Sequence, residues 1–259
     1  MKLLVQSDDY GITRAAAQGC LYGIRCGIVR NTGMFTNMPW AEEVAEWIRP
    51  YLDQISLGID LNASTGSSLL GYDKVPSLCH EDGTFLSSKE NYALDNEANG
   101  FDHVNFDEIY TEFEAQTEKF IALFGKAPDY IHGHAYGTKT VTRAHRAIAE
   151  KYVRPYSVDI IEDSTVANLG MNHYRFGNDL NAQLQDDLKD RILNAPESFV
   201  NADRGFIISH CGYLDAELFG LTSFTIYRMK DLEALTSSEV LEWVRKNNIE
   251  LVRYSDLAK

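Results

Sequence analysis

The sequence predicts an α/β protein built on a parallel sheet, closed or nearly closed into a barrel. Two observations lead there. Short apolar runs alternate with longer helical stretches along the 259 residues, and acidic or imidazole side chains recur just where those runs stop. Such alternation implies strand–helix–strand crossovers, which keep successive strands parallel.

The elements follow in order. Lys2–Ser7 reads as a buried strand, and Thr13–Cys26 as a helix carrying Ala15, Ala16, Ala17, Leu21 and Ile24. Ile28–Thr36 is a second strand. Pro39–Tyr51 is a helix, with Pro39 suited to its first turn and Trp40, Val44 and Ile48 at helical spacing. Ile55–Asp60 is a third strand. Asn105 caps a long helix to Phe124, with Glu108 three residues on, and Gly125 ends it. Asp129–Gly133 is a strand, followed by helices over Thr142–Lys151 and Leu180–Leu193. Gly205–Ser209 is a strand, Thr236-Ser237-Ser238-Glu239 starts a helix to Asn247, and Ile249–Arg253 is the last strand.

With no repeat, Pro-rich linker or low-complexity tract, the chain reads as one domain over 1–259. Residues 62–103 and 155–179 break the alternation. Loops this long in a compact domain usually serve a site, so both are expected over its mouth. Hydrophobic content of 44% is enough for a sizeable core, whereas a net charge of −14 argues against nucleic acid or an anionic membrane as partner. No run approaches 18 apolar residues, and the start is too short and acidic for a signal peptide. Cys20, Cys26, Cys79 and Cys211 form no C-x-x-C pair, so a reducing cytoplasm is expected.

The chemistry is positional. Asp8 and Asp9 follow Leu3-Leu4-Val5-Gln6-Ser7, Asp60 ends Ile55–Ile59, His132 and His134 close Asp129-Tyr130-Ile131, and His210 follows Phe206–Ser209. In a parallel β/α fold those positions share one rim. Taken singly, each acid has a plainer reading as a helix cap, and each histidine as a satisfied core residue. Together they offer two carboxylates and an imidazole for a divalent cation, with a further carboxylate and histidine to move protons. That inventory suits hydrolysis of an amide or ester. A thiol mechanism at Cys211, beside His210, explains fewer of these residues.

The motifs, in their order, resemble the YdjC-like carbohydrate deacetylases, the family that includes chitooligosaccharide deacetylase. Ser7-Asp8-Asp9-Tyr10-Gly11 is similar to an opening D-D-[FY]-G motif, and Asn37-Met38-Pro39 to an N-M-P turn. Gly58-Ile59-Asp60-Leu61-Asn62 matches G-x-H-L-[NT], Ile131-His132-Gly133-His134 a D-x-H-x-H block, and His210-Cys211-Gly212-Tyr213 an H-P-G-Y motif. Arg228 to Leu235 resembles a C-terminal R-x-x-E-x-x-x-L segment. The resemblance implies a distorted parallel β/α barrel like that of the polysaccharide deacetylases. It implies removal of an N-acetyl group from a small carbohydrate, an amino sugar or chitooligosaccharide that is in some cases phosphorylated. By the same resemblance Asp8 is the general base, Asp9 and His134 are metal ligands, and His210 donates the proton. Asp60 stands where the motif has its metal-binding His, His132 where it has an acid, and Cys211 where it has Pro. A ligand set of Asp9, Asp60 and His134 favours Mg²⁺, with Mn²⁺ next and Zn²⁺ less suited. Self-association is compatible with this reading. Two alternatives stay open: a sugar- or metal-binding homologue impaired in catalysis, and a metal-dependent phosphoesterase.

Overall fold

A computed structural model describes residues 1–97, 101–169, 174–175 and 177–257. Among the described residues seven strands form one parallel sheet: β1 (Lys2–Tyr10), β2 (Asn31–Met34), β3 (Ser56–Leu61), β4 (Ile131–Gly133), β5 (Ala167–Asn168), β6 (Arg204–Ser209) and β7 (Glu250–Val252). Their order is β4-β3-β2-β1-β6-β5, with β7 pairing the first residues of β1. The sheet curls into a half-barrel with helices packed outside it, the distorted parallel β/α architecture that the sequence predicts.

β1 is the hub. It pairs with β6 from Lys2 to Ser7 and with β2 from Gln6 onward, and Leu3 through Tyr10 are all buried. A parallel strand covered on both faces reads as a continuous apolar run, which is how Leu3-Leu4-Val5 reads. Side chains alternate across a strand. Leu3, Val5 and Ile207 join the large core under the helices, while Leu4, Tyr130, Phe206, Ile208, Val252 and Tyr254 pack together inside the half-barrel. Two residues further along each inward-facing row come the residues of the rim. The rows run Leu4-Gln6-Asp8, Gly58-Asp60, Tyr130-His132 and Ile208-His210.

The Asn105 cap is the one the sequence predicts, and two further caps lie within a residue of the expected helix starts. Thr13 accepts from the amide of Ala16 to start a helix over Arg14–Cys26, and Asn105 accepts from Asp107 and Glu108 to start Phe106–Phe124. Gly125 ends the latter at φ 70°, a left-handed geometry that suits glycine. Ser237 caps Ser238–Lys246.

Several segments differ from expectation. The helix after β2 begins at Ala41 and ends at Ile48, with a 3₁₀ turn over Arg49–Tyr51. Lys139–Tyr152 starts earlier than predicted because Thr138 caps it. The stretch Leu180–Leu193 is two helices, Leu180–Gln183 and Leu188–Leu193. Buried Gln183 donates to the carbonyls of Gly177 and Ser223, contacts that hold the break in place. The helix Ile226–Thr236 is additional; buried Arg228 and Asp231 on it disrupt the apolar periodicity that would have revealed it.

The two irregular stretches carry the helices Ser88–Glu97 and Ser157–Ile161. Parts of the expected site-covering loops, residues 98–100, 170–173 and 176, lie outside the described residues. Among the described residues no helix is long and apolar enough to cross a membrane.

Replacing Asn105 with Ala removes the acceptor for two helix-terminal amides and should cost about 1 kcal/mol of stability. A lower urea midpoint with an unchanged m-value is the expected result; an unmoved midpoint contradicts the cap.

Candidate active site

The inward-facing rows bring Asp8, Asp60, His132 and His210 to one place at the C-terminal edge of the sheet. Asp60 and His132 are register partners across β3 and β4. Asp8 Oδ2 lies 3.2 Å from His132 Nε2 and 4.0 Å from His210 Nε2, while Oδ1 accepts from Gln6 Nε2 at 2.6 Å. Asp8, Asp60 and His132 each offer one ligand atom, and those atoms lie within 4.8 Å of one another.

Asp60 is the telling member. It is fully buried; Oδ2 accepts from the amide of Asp9 at 2.6 Å, and Oδ1 has no hydrogen-bond partner. A buried acceptor left unmatched costs free energy, and most proteins avoid it. The room for it comes from Gly33, where a Cβ would stand 1.7 Å from Asp60 Oδ1. Burial, reinforced by the charge of Asp8, pushes the Asp60 carboxyl well above its usual range. Burial also acts to raise Asp8, but His132 and His210 outweigh it and leave the carboxyl below its usual range. His132 is driven up to about 9, because Asp8 outweighs the burial that would lower it. Its Nδ1 is paired with Ser157 Oγ at 2.5 Å.

Asp9 and His134 sit beside this cluster with different partners. The pairing of β1 with β2 shifts between Ser7 and Tyr10, and Asp9 takes φ 64°. Its Oδ1 faces His134 Nδ1 at 2.7 Å, and its Oδ2 accepts from Arg228 at 2.6 Å. Arg228 is 1% exposed and Asp9 3%. Burial opposes ionisation of Asp9, but His134 and Arg228 hold it well below the usual carboxylate range. β4 ends at Gly133, so His134 leaves the strand and its Nε2 faces Thr65 Oγ1 at 3.2 Å.

On the other side His210 is held by Asp231 and Tyr174. The His210 amide donates to Asp231 Oδ2 at 2.6 Å, and Nδ1 faces the Tyr174 hydroxyl at 3.0 Å. Burial lowers His210 to about 4 and raises Asp231 to about 8.

All of this borders a cleft of about 920 Å³, whose walls include Thr65 and Ser87 from one long segment and Val158 and Tyr174 from the other. Asp8, Asp9, His132, His134 and His210 line it, with Asp60 beneath. Two carboxylates, an imidazole and one unmatched carboxylate oxygen suit a hard divalent cation that keeps positions for water and substrate.

Sequence reasoning names Asp8, Asp9, Asp60, His134 and His210, and all five lie in this region. His132, which sequence reasoning places on the rim but leaves out of the ligand set, is the imidazole closest to Asp8 and Asp60. Arg228 and Asp231 are visible in the sequence as members of a weak motif, with nothing to show that they are buried. Nothing in the sequence singles out Tyr174. Cys211 is 2% exposed and its thiol is raised well above the ordinary value by burial, so it is no nucleophile. Tyr10 and Trp40 donate to the carbonyls of Val44 and Gly11 as parts of the core.

A family model described as YdjC-like protein matches residues 2–246. A carbohydrate deacetylase of Clostridium beijerinckii is 26% identical over 260 residues, covering 99% of this chain and 100% of the relative. One from Thermoanaerobacter pseudethanolicus is 28% identical over 257 residues, covering 98% of each. A crystal structure of an Enterococcus faecalis V583 protein matches with TM-score 0.79 and 24% identity, over 99% of this chain and 98% of the other. Peptidoglycan deacetylase PdaC from Bacillus subtilis matches with TM-score 0.50 and 11% identity, over 99% and 89%. The fold is that of the polysaccharide deacetylases.

Arg228→Met strips the buried Asp9 of its guanidinium and should destabilise the protein by about 3–5 kcal/mol. A large fall in Tm is expected; an unchanged Tm contradicts the ion pair's role.

Proposed function

Because this chain belongs to the YdjC-like family, we propose that it is a divalent-metal-dependent hydrolase that removes an N-acetyl group from a small amino sugar or chitooligosaccharide, phosphorylated forms included. The observation that carries the reading is the unmatched Asp60 Oδ1, buried beside Asp8 and His132 under an open cleft. The names of the curated relatives support the chemistry. All four cysteines are free, which supports a reducing, cytoplasmic setting.

Asp8, Asp60 and His132 would hold the cation. When bound, it would polarise the acetyl carbonyl and lower the pKa of water toward ~7. This assignment moves Asp8 from base to ligand, and it releases Asp9 and His134 from the ligand set that the resemblance implies. The reason is geometric. Both oxygens of Asp9 are engaged by His134 and Arg228, whereas Asp8, Asp60 and His132 each offer a ligand atom within 4.8 Å of the other two. Asp9 keeps His134 oriented at the cleft wall. His210, with Nε2 4.0 Å from Asp8 Oδ2, delivers a proton to the leaving nitrogen. A centre with two carboxylates and one imidazole favours Mg²⁺ or Mn²⁺ over Zn²⁺.

After chelation, the protein should release acetate from members of an N-acetyl-sugar panel only when Mn²⁺ or Mg²⁺ is restored. Phosphate release in place of acetate makes the protein a phosphoesterase, and sugar binding without turnover makes it a binder. Asp8→Asn and Asp60→Ala should each lower Mn²⁺ affinity at least tenfold by calorimetry. An Asp8→Asn protein that binds metal normally yet cannot turn over returns Asp8 to the role of base.

Affinity should also depend on pH. His132, raised to about 9, carries a proton at neutral pH in the metal-free protein, and binding must expel it. Mn²⁺ affinity should therefore climb by about tenfold per pH unit for each proton released, levelling as pH passes about 9. Proton uptake on binding, or flat affinity from pH 6.5 to 9, contradicts the assignment.

A further inference from the structure

We propose that Gln6, held in place by Tyr254, limits Asp8 to one free carboxylate oxygen and so makes the site select a compact six-coordinate cation, Mg²⁺ or Mn²⁺, over Ca²⁺. Donor hardness does not separate these ions, because Ca²⁺ favours carboxylate oxygen as Mg²⁺ does. Coordination number does. Ca²⁺ gathers about six to eight oxygens and readily takes both from one carboxylate, whereas Mg²⁺ keeps to an octahedron of about six ligands. A carboxylate with one oxygen already engaged suits the second habit and not the first.

Both carboxylates of the site are in that condition. Asp60 Oδ2 accepts from the Asp9 amide at 2.6 Å, which leaves Oδ1. Asp8 Oδ1 accepts from Gln6 Nε2 at 2.6 Å, and Oδ2 is the oxygen near His132 and His210. The backbone makes the first of these bonds; a side chain two residues earlier on β1 makes the second. Gln6 can do so only with its amide in one orientation, since a flipped amide would set its oxygen against the Asp8 carboxylate.

Tyr254 sets that orientation. Its hydroxyl donates to Gln6 Oε1 at 2.6 Å, which turns the nitrogen end of the amide toward Asp8. The tyrosine is 1% exposed, and its ring stacks on Tyr130 at 4.0 Å with 22° between the planes. Its amide donates to Asn31 Oδ1 at 3.0 Å, and Asn31 Nδ2 donates in turn to the carbonyls of Val5 and Val252. The next amide, that of Ser255, donates to Ser56 Oγ at 3.0 Å. The turn after β7 is thereby pinned to β1, β2 and β3. Gln6 and Tyr254 are both buried and neither lines the cleft, so they are positioning residues that act through Asp8.

The inference rests on the reading in which Asp8, Asp60 and His132 hold the cation, and its test is separate from the test of hydrolysis. Calorimetric titration of the metal-stripped full chain with Mn²⁺ and, separately, with Ca²⁺ gives the two dissociation constants. Mn²⁺ should bind about 10²-fold more tightly than Ca²⁺. Gln6→Met keeps the side-chain length and removes the hydrogen bond, which frees Asp8 to offer both oxygens; the ratio should narrow by at least about fivefold. Tyr254→Phe keeps the stack on Tyr130 and releases the Gln6 amide; it should narrow the ratio in the same direction, and it decides alone if Gln6→Met does not fold. A merely structural role would weaken both ions alike and leave the ratio where it was. An unaltered protein that binds Ca²⁺ as tightly as Mn²⁺ overturns the proposal, and so does an unchanged ratio in whichever variants fold. If selection is seen but the Mn²⁺-loaded protein frees no acetate from N-acetyl sugars, the clamp on Asp8 stands and the hydrolase reading falls. If neither ion binds, both fall.

Discussion

Burying three carboxylates together is the constraint on which the site depends. Asp8, Asp9 and Asp60 are at most 4% exposed, and the Asp9 amide bonds directly to Asp60. Charges withdrawn from water in this way persist only if paired and hydrogen-bonded. Arg228 and His134 answer Asp9, and Gln6 and His132 answer Asp8. Three carboxylates crowd against one guanidinium and an imidazole raised to about 9, and burial together with the charge of Asp8 pushes the Asp60 carboxyl well above its usual range. On the proposed reading a divalent cation would relieve this crowding of carboxylates.

The same balance accounts for the departures from the family motifs. Asp60 stands where the resemblance leads one to expect an imidazole, and His132 where it leads one to expect an acid. These two residues are register partners on adjacent strands. The rung thus keeps one imidazole and one carboxylate with their positions exchanged, so the two departures act as a single change. Gly33 leaves room for the shorter aspartate.

The sequence makes the frame legible because its signals are local. Asn105 caps its helix where expected, the helices capped by Thr13 and Ser237 start within a residue of their expected places, and the apolar runs of β1, β3 and β6 mark the strands. The rim residues stand out because each ends such a run. What stays hidden depends on contacts between distant segments. Asp8 and Asp9 are neighbours with different partners only because β1 shifts register and Asp9 turns left-handed. His132 and His134, two apart, look like one face of a strand until β4 is seen to stop at Gly133. Arg228, Asp231 and Tyr174 carry no local pattern; their roles exist only once the helix Ile226–Thr236 packs beneath the cleft.

The most direct measurement is an anomalous difference map from crystals grown with Mn²⁺. The account predicts a peak bounded by the carboxylates of Asp8 and Asp60 and the imidazole of His132, with the Asp9–Arg228 pair intact. A peak held instead by Asp9 and His134, with Arg228 displaced, would contradict it.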